Sequence, residues 1–233
     1  MMYVSMHKET VVISVGGSLI VPNAIDTNFL KKLKAFVTAH TKKGFRFIII
    51  AGGGATARNY QHAGHNVTAM TQKDQDWLGI HATRLNGQLL RSIFYKEAEP
   101  TIITHPDEKI TSKAKIIIAA GWRPGWSTDY VAVRIAETVG AQKVINLLDV
   151  DYVYTKNPKK YKDAQPIHET SWKIFRNLLP KKWSPGLHSP FDPIAAREAE
   201  KCGMEVVIIN GRKLTELQKY LSGKKFVGTR INS

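Results

Sequence analysis

The chain is short of several things, and each shortage excludes a class of protein. It has one cysteine, Cys202, among 233 residues. No disulfide can form within it, and the composition suits the reducing cytoplasm. Cys202 stands before Gly203 at an expected helix end, where it reads as a small packed residue rather than a nucleophile. No apolar run approaches the ~20 residues that cross a bilayer, and the first eight residues carry no signal-peptide core. Acidic residues are scarce, 19 against 34 Lys and Arg, for a net charge of +15. That balance favours a polyanionic partner: nucleic acid, a membrane surface or a phosphorylated small molecule. The excess is spread evenly, with 17 basic and 10 acidic residues up to Gln142 and 17 and 9 beyond it. Without a basic arm or tail, nucleic acid is the weaker expectation. Several motifs are missing too. There is no G-x-x-x-x-G-K-[ST], which excludes a P-loop, and no G-x-G-x-x-G after the first strand, which disfavours a dinucleotide fold. No H-E-x-x-H or G-x-S-x-G occurs, and His62 and His65 alone are too few for zinc, so no metal-ligand set is read.

What is present is an apolar content of 43%, enough for a sizeable core. Strands are expected over 11–15, 47–51, 101–103, 115–120, 143–148, 205–209 and 225–227, with a short exposed one inside 149–158. Helices are expected over 26–43, 53–63, 75–96, 128–139 and 214–221. Another opens at Ser189-Pro190-Phe191-Asp192, where the acidic residue reads as part of the cap, and runs to Gly203. Residues 156–168, rich in lysine and proline, read as a surface loop. The alternation predicts an α/β protein with a mostly parallel central sheet flanked by helices on both faces. A lobe boundary is expected near residue 142, giving lobes 1–142 and 143–233 within one continuous domain.

Three expected strands end in glycine, at 16–18, 52–54 and 121–125. In a parallel sheet these ends share one edge, where ligands bind. The stretch Gly52-Gly53-Gly54-Ala55-Thr56-Ala57-Arg58 is the richest of them. Its glycines allow a tight turn and close approach to a ligand. The following helix terminus attracts anions, and Arg58 lies one turn in, where a guanidinium can hold a phosphate. Three such turns on one edge suit two phosphorylated ligands meeting end to end. Asp149 and Asp151 follow the strand at 143–148; they read either as turn formers or as site carboxylates.

The order of Val15-Gly16-Gly17-Ser18, Gly52-Gly53-Gly54-x-Thr56-Ala57-Arg58-x-Tyr60 and Asp76-x-x-Gly79-Ile80-x-x-Thr83-Arg84-x-Asn86 resembles the amino acid kinase superfamily. Within that superfamily it resembles the uridylate (UMP) kinases of the archaeal type. The likeness continues through Pro124-Gly125-x-Ser127-Thr128-Asp129, Val150-Asp151-x-Val153-Tyr154-Thr155 and Asp192-Pro193, and covers nearly the whole chain. It implies a three-layer sandwich that transfers the γ-phosphoryl group of ATP to UMP with Mg²⁺, the first lobe holding UMP and the second ATP. By the same resemblance, Gly53, Gly54 and Arg58 would bind the UMP phosphate. Asp76 would take the ribose, with Gly79 allowing close approach, and Ser127 and Thr128 would lie near the base or acceptor phosphate. Gly16, Gly17 and Ser18 would cradle the group in flight and Asp151 would order the site. Gly17, Asp149, Tyr154, Lys156 and Pro158 would stand on the ATP side. A homo-oligomer, commonly a hexamer, is implied as well.

Two positions depart from the pattern. Ser14 stands where many superfamily members carry a lysine, leaving Lys156, Lys159 and Lys160 as candidate phosphate clamps, and Tyr152 stands where glycine is usual. Trp122 and Trp126 make the acceptor side aromatic, either to stack on a base or to pack the lobes. Two other readings stand beside the first: the same fold acting on another phosphate or carboxylate acceptor, and a catalytically silent protein binding nucleotide or nucleic acid.

Overall fold

Seven strands form the central sheet of the computed structural model, which describes residues 9–158, 160–180 and 189–233. The expectations placed on the N-terminal stretch and on Lys159 fall outside the described residues. In chain order the first half holds β1 (Glu9–Val15), α1 (Gly17–Ile20), α2 (Thr27–Thr41), β2 (Phe45–Ala51), α3 (Gly54–Val67), α4 (Gln72–Ile93), β3 (Ile116–Ala119) and α5 (Thr128–Thr138). The second half holds β4 (Lys143–Leu148), β5 (Val153–Tyr154), β6 (Pro166–Ile167), β7 (Glu169–Ser171), α6 (Trp172–Leu178), α7 (Pro193–Lys201), β8 (Glu205–Asn210), α8 (Leu214–Leu221) and β9 (Thr229–Asn232).

The sheet runs β3-β2-β1-β4-β8-β9-β7, and β5 and β6 form a separate antiparallel pair. From β3 to β8 all neighbours are parallel; β9 turns antiparallel to β8. Consecutive residues of each buried strand point to opposite faces. Val11, Ile13, Val15, Phe47 and Ile49 meet one core, with Phe29 and Leu33 of α2, Leu90 of α4 and Leu217 of α8. Val12, Ile48, Ile50 and Val144 meet the other, with α5, α6 and α7. This is the expected α/β sandwich. Position 142 falls in the connection from α5 to β4, inside one continuous sheet.

Several elements differ from expectation, each for a local reason. The long helix starts at Gln72 rather than 75, because Thr71 accepts the Asp74 N–H at 3.1 Å and donates its hydroxyl to the Asp74 carboxylate at 2.6 Å. At α7 the cap is Asp192 and the first-turn proline is Pro193, one Pro later than Ser189-Pro190 suggested. Residues 101–103, between Pro100 and Pro106, contribute only a bridge from Ile103 to Ala119. The expected last strand at 225–227 is not one. Glu216 Oε2 accepts the Val227 N–H, Phe226 packs on Tyr220, and the strand forms at Thr229–Asn232 instead.

Candidate active site

The parallel strands deliver their carboxyl ends to one edge, and the glycine turns after β1, β2 and β3 open there into a crevice of about 320 Å³. Two of these turns touch backbone to backbone. A Cβ on Gly17 would sit 2.0 Å from the Gly54 nitrogen, and one on Gly52 would sit 2.3 Å from the Gly17 nitrogen. Gly54 adopts φ +62°, which other residues enter at a cost. Only glycine fits the junction of α1 and α3. Asn86, buried on α4, fastens it by donating to the carbonyls of Gly52 and Gly53 at 2.8 and 3.0 Å.

Gly17, Ser18, Gly53, Gly54, Arg58, Asp76, Gly79, Ser127 and Thr128 line the crevice together, and a Cβ on Gly53 would lie 3.5 Å from the Gly79 carbonyl oxygen. Arg58 is exposed and donates to the Pro22 carbonyl at 3.0 Å. The loop joining β3 to α5 forms the far wall and is held from α4. Thr83 Oγ1 accepts the Gly121 N–H at 2.8 Å, Arg84 donates to the carbonyls of Gly121 and Trp122 at 3.2 and 2.8 Å, and Asp76 accepts the Gly125 N–H at 2.8 Å. Burial raises the Asp76 carboxyl above its usual range, and the Gly125 bond offsets part of that. Trp126 lines the crevice and packs on Tyr130 at a ring separation of 4.1 Å. Trp122 lies 5.9 Å from Trp126, carrying the Arg123 guanidinium 3.9 Å above its ring.

The crevice lining also holds two carboxyls, Asp129 and Asp192, which stand in the resembling motifs but were given no site role. Asp129 lies in the first turn of α5, and Asp192 caps α7 by accepting the Ile194 N–H at 2.6 Å. Ser127, the cap of α5, donates to Asp192, and Asp129 accepts the Asp192 N–H at 3.1 Å. Strand alternation explains the rest. Ser14 and Asn146, in register on β1 and β4, face the α5 side of the sheet with Val12 and Val144. Both donate to Asp129 Oδ1 at 3.4 Å. Desolvation, then the neighbouring Asp192 charge, push the Asp129 carboxyl up to about 7, and burial raises Asp192 as well. Asn146 Oδ1 is buried there without a hydrogen-bond partner. The two carboxyls make an oxygen-only pair of the kind that suits a hard divalent cation, and the Asn146 amide turns its Nδ2 toward Asp129. Asp192 was explained in the sequence by capping alone; the structure gives it the cap and a place in the crevice together. The signal that could have found Asp129 is its position directly after the Ser127-Thr128 pair at a helix start.

The remaining sequence-derived residues lie beyond the glycine turn of β1. Gly16 donates to the Leu147 carbonyl at 2.9 Å, tying that turn to β4. Asp149 and Asp151 follow β4; Tyr154 is on β5, and Lys156 and Pro158 come after it. Asp151 accepts from Lys213 Nζ at 2.7 Å and from Asn210 Nδ2 at 2.8 Å, and these bonds hold its carboxyl below the usual range. Lys156 pairs with Asp163 at 2.5 Å. Tyr152, where glycine was the usual residue, has no positive φ; its ring meets those of His168 and Tyr154 edge-on. The turn therefore accommodates the tyrosine without backbone strain.

Comparison with known proteins places this geometry. A model of the amino acid kinase family matches residues 9–210. A uridylate kinase of Methanocorpusculum labreanum is 34% identical over 226 residues, covering 96% of this chain and 95% of the relative. One of Pyrococcus abyssi is 31% identical over 217 residues, covering 92% and 96%. Among solved structures, a uridylate kinase from Archaeoglobus fulgidus superimposes with a TM-score of 0.79 at 25% identity, over 96% of this chain and 99% of that one. A UMP kinase from Ureaplasma parvum superimposes with a TM-score of 0.78 at 19% identity, over 98% and 100%, which speaks to the fold alone.

Proposed function

The chain belongs to the amino acid kinase family, and from that premise we propose that it transfers the γ-phosphoryl group of ATP to UMP, giving UDP and ADP. The observation that carries this reading is the junction of Gly17, Gly52 and Gly54, where two strand-end turns meet with no room for a side chain beside a crevice lined by Arg58 and Asp76. Phosphoryl transfer asks a protein mainly for in-line positioning and charge stabilisation. In the proposed arrangement Gly53, Gly54 and Arg58 hold the acceptor phosphate, and Asp76 and Gly79 face the ribose. Trp126, Ser127 and Thr128 border the base, with the loop that bears them strapped by Arg84. Gly16, Gly17 and Ser18 cradle the group in transfer. Asp149, Asp151, Tyr154, Lys156 and Pro158 form the nucleotide-donor side.

Asp129 and Asp192 would hold Mg²⁺, a fit supported by two carboxyls that line the crevice side by side, joined through the Asp192 N–H. Bound there, the ion would neutralise charge on the phosphates. The pair's own contribution is positional. Asp192 fixes the start of α7 and accepts from Ser127, so the acceptor loop and α7 keep one spacing. No described helix is long and apolar enough to cross a membrane, and a cytoplasmic homo-oligomer, a hexamer, is part of the proposal. Exposed Tyr60 and Val67 on α3 and Leu85 on α4 are available to a second copy.

The test is ADP release from Mg-ATP with UMP, CMP, AMP, GMP, acetylglutamate and isopentenyl phosphate in turn. Turnover confined to UMP is expected. Turnover with a different acceptor alone transfers the site to that substrate, and none at all ends the enzymatic reading. Light scattering of the purified chain checks the assembly.

A further inference from the structure

The crevice has a charge problem. Among the described residues lining it are three carboxyl groups, Asp76, Asp129 and Asp192, and a single cation, Arg58. Arg58 stands after β2, on the acceptor side. A phosphoryl group passing between two anionic nucleotides needs positive charge on the donor side as well. The β1 residue that points under the crevice is the uncharged Ser14, already bonded to Asp129. Beside the divalent ion proposed above, a cationic side chain for the donor phosphates would come, among the described residues, from a turn outside the crevice lining.

Among the described residues, the turns after β3 and β8 and the β5–β6 connection, which holds Lys156 and Lys160, carry candidates. After β3, Arg123 is held over the Trp122 ring. After β5, Lys156 pairs with Asp163 and lies over the Tyr161 ring, within the β5–β6 connection, which belongs to a separate two-stranded sheet and not to the central one. After β8 comes Asn210-Gly211-Arg212-Lys213. This turn is pressed onto the phosphate-cradling side of the sheet. A Cβ on Gly211 would lie 2.3 Å from Leu19 Cδ1 of α1 and 3.2 Å from Leu147 Cβ of β4. The Gly211 N–H donates to the Leu148 carbonyl at 2.8 Å and the Lys213 N–H to the Asn210 carbonyl at 2.9 Å. Asn210 is the keystone. Its Oδ1 accepts the Arg212 N–H at 3.0 Å and its Nδ2 donates to Asp151 at 2.8 Å. Arg212 reaches back to Asp26, the cap of α2, at 3.0 Å. The backbone carrying Lys213 is thus fixed to β4, α1 and α2 at once. The Lys213 ammonium itself is 2.7 Å from Asp151 on an exposed side chain. An exposed ion pair of this kind is weak and opens at little cost, and a lysine stem lets the charge move while its turn stays still.

Resting on the kinase reading above, we propose that Lys213 is the donor-side cation of this site, turning from Asp151 to the phosphates of the bound nucleoside triphosphate, with the Arg212–Asp26 pair positioning its turn. The acceptor then has Arg58 and the donor Lys213, one cation on each side of the Gly17 turn.

Lys213→Ala and Lys213→Arg, made in the full chain, test it in two assays. Initial rates are measured with ATP varied at saturating UMP and the reverse, and binding of a fluorescent ATP analogue is titrated without turnover. Lys213→Ala is expected to raise the KM for ATP and weaken analogue binding by about tenfold or more, as for loss of one charged hydrogen bond. The KM for UMP should stay within about twofold, because the acceptor wall is untouched. Lys213→Arg should recover most of the ATP affinity. An unchanged ATP affinity in Lys213→Ala overturns the proposal, as does the loss appearing in Lys156→Ala in its place. If the unsubstituted chain makes no UDP, the UMP kinase reading fails separately, and the binding titration still decides whether Lys213 holds a triphosphate.

Discussion

The two sides proposed for the site, the acceptor crevice and the donor side beyond it, are built from different material. The acceptor side is mostly backbone. Gly17, Gly52 and Gly54 meet with no room for a Cβ, and Asn86, Thr83 and Arg84 tie main-chain carbonyls and amides into place. The proposed donor side, whose ion pairs lie outside the crevice lining, is mostly side chain: Asp151 with Lys213, Lys156 with Asp163, and Arg212 with Asp26, all reaching solvent. A backbone wall leaves no freedom in sequence or in shape, so its response to substitution should be brittle. A wall of exposed ion pairs should respond in graded steps.

The largest effect is expected where two backbones touch. Gly17→Ala would place a methyl group 2.0 Å from the Gly54 nitrogen, against main chain that cannot rotate away. The turns must part, at a cost of about 3 kcal/mol in stability, and turnover should fall by roughly a thousandfold as positioning is lost. Denaturant unfolding and steady-state rates measure the two. A Gly17→Ala protein with near-normal turnover would show that the junction is not the working surface, and the contrast between the two sides would collapse.

Asp129→Asn is next, and it separates stability from function. The folded carboxyl titrates at about 7 rather than 3.8, so the folded protein binds this proton more tightly than the unfolded chain does. Stability from this group is present at low pH, declines as pH rises from about 4 to about 7, and is gone above that. Asparagine removes the cost of ionising a desolvated carboxyl. The Tm should rise by roughly 5 °C at pH 8, and the gain should vanish near pH 4. Turnover should nevertheless drop about a hundredfold or more. A thermal melt series across pH reads the sign directly; a variant less stable at pH 8 than at pH 4, relative to the parent, would contradict it.

These two positions also mark how far the sequence could be read. Gly17, Gly53, Gly54 and Arg58 were marked by glycine turns at strand ends, and Asp76, Gly79, Ser127 and Thr128 by the family resemblance alone; all of them line one crevice. The sandwich was legible from buried strands alternating with amphipathic helices. Asp129 and Asp192 stood inside the resembling motifs without a site role, and nothing local marked Asn146 or Lys213. Their roles come from pairs 17, 44, 62 and 63 residues apart, brought together by strand order, which periodicity does not encode. Asp192 shows the limit most clearly. A helix cap satisfied every local expectation, and only the fold placed Ser127 against it. The strand expected at 225–227 failed likewise, since the Glu216 side chain that takes the Val227 N–H comes from α8.

Arg58→Ala should weaken UMP binding by about 10- to 100-fold, the loss of a charge-assisted phosphate contact, while ATP affinity stays within about twofold. Calorimetric titration of each nucleotide makes the comparison. Equal losses for both would mean that Arg58 serves both nucleotides, and the division of the site into an acceptor and a donor side would need redrawing.

The smallest effect expected falls on Arg84, which lies outside the crevice yet carries its far wall. Its guanidinium donates to the carbonyls of Gly121 and Trp122, and Gly121 is held a second time through Thr83. Asp76 adds a third tie at Gly125. Removing one strap of three should loosen the loop without releasing it. Arg84→Ala is therefore expected to raise the KM for UMP about fivefold, with the KM for ATP unchanged, because only the acceptor wall depends on this loop. Arg84→Lys should recover part of it, since an ammonium can serve one carbonyl but not span two with a fixed fork. If Arg84→Ala instead raised both KM values equally, the loop would be bracing the whole site. The acceptor side would then be graded like the donor side, and the distinction between a backbone wall and a side-chain wall would not survive.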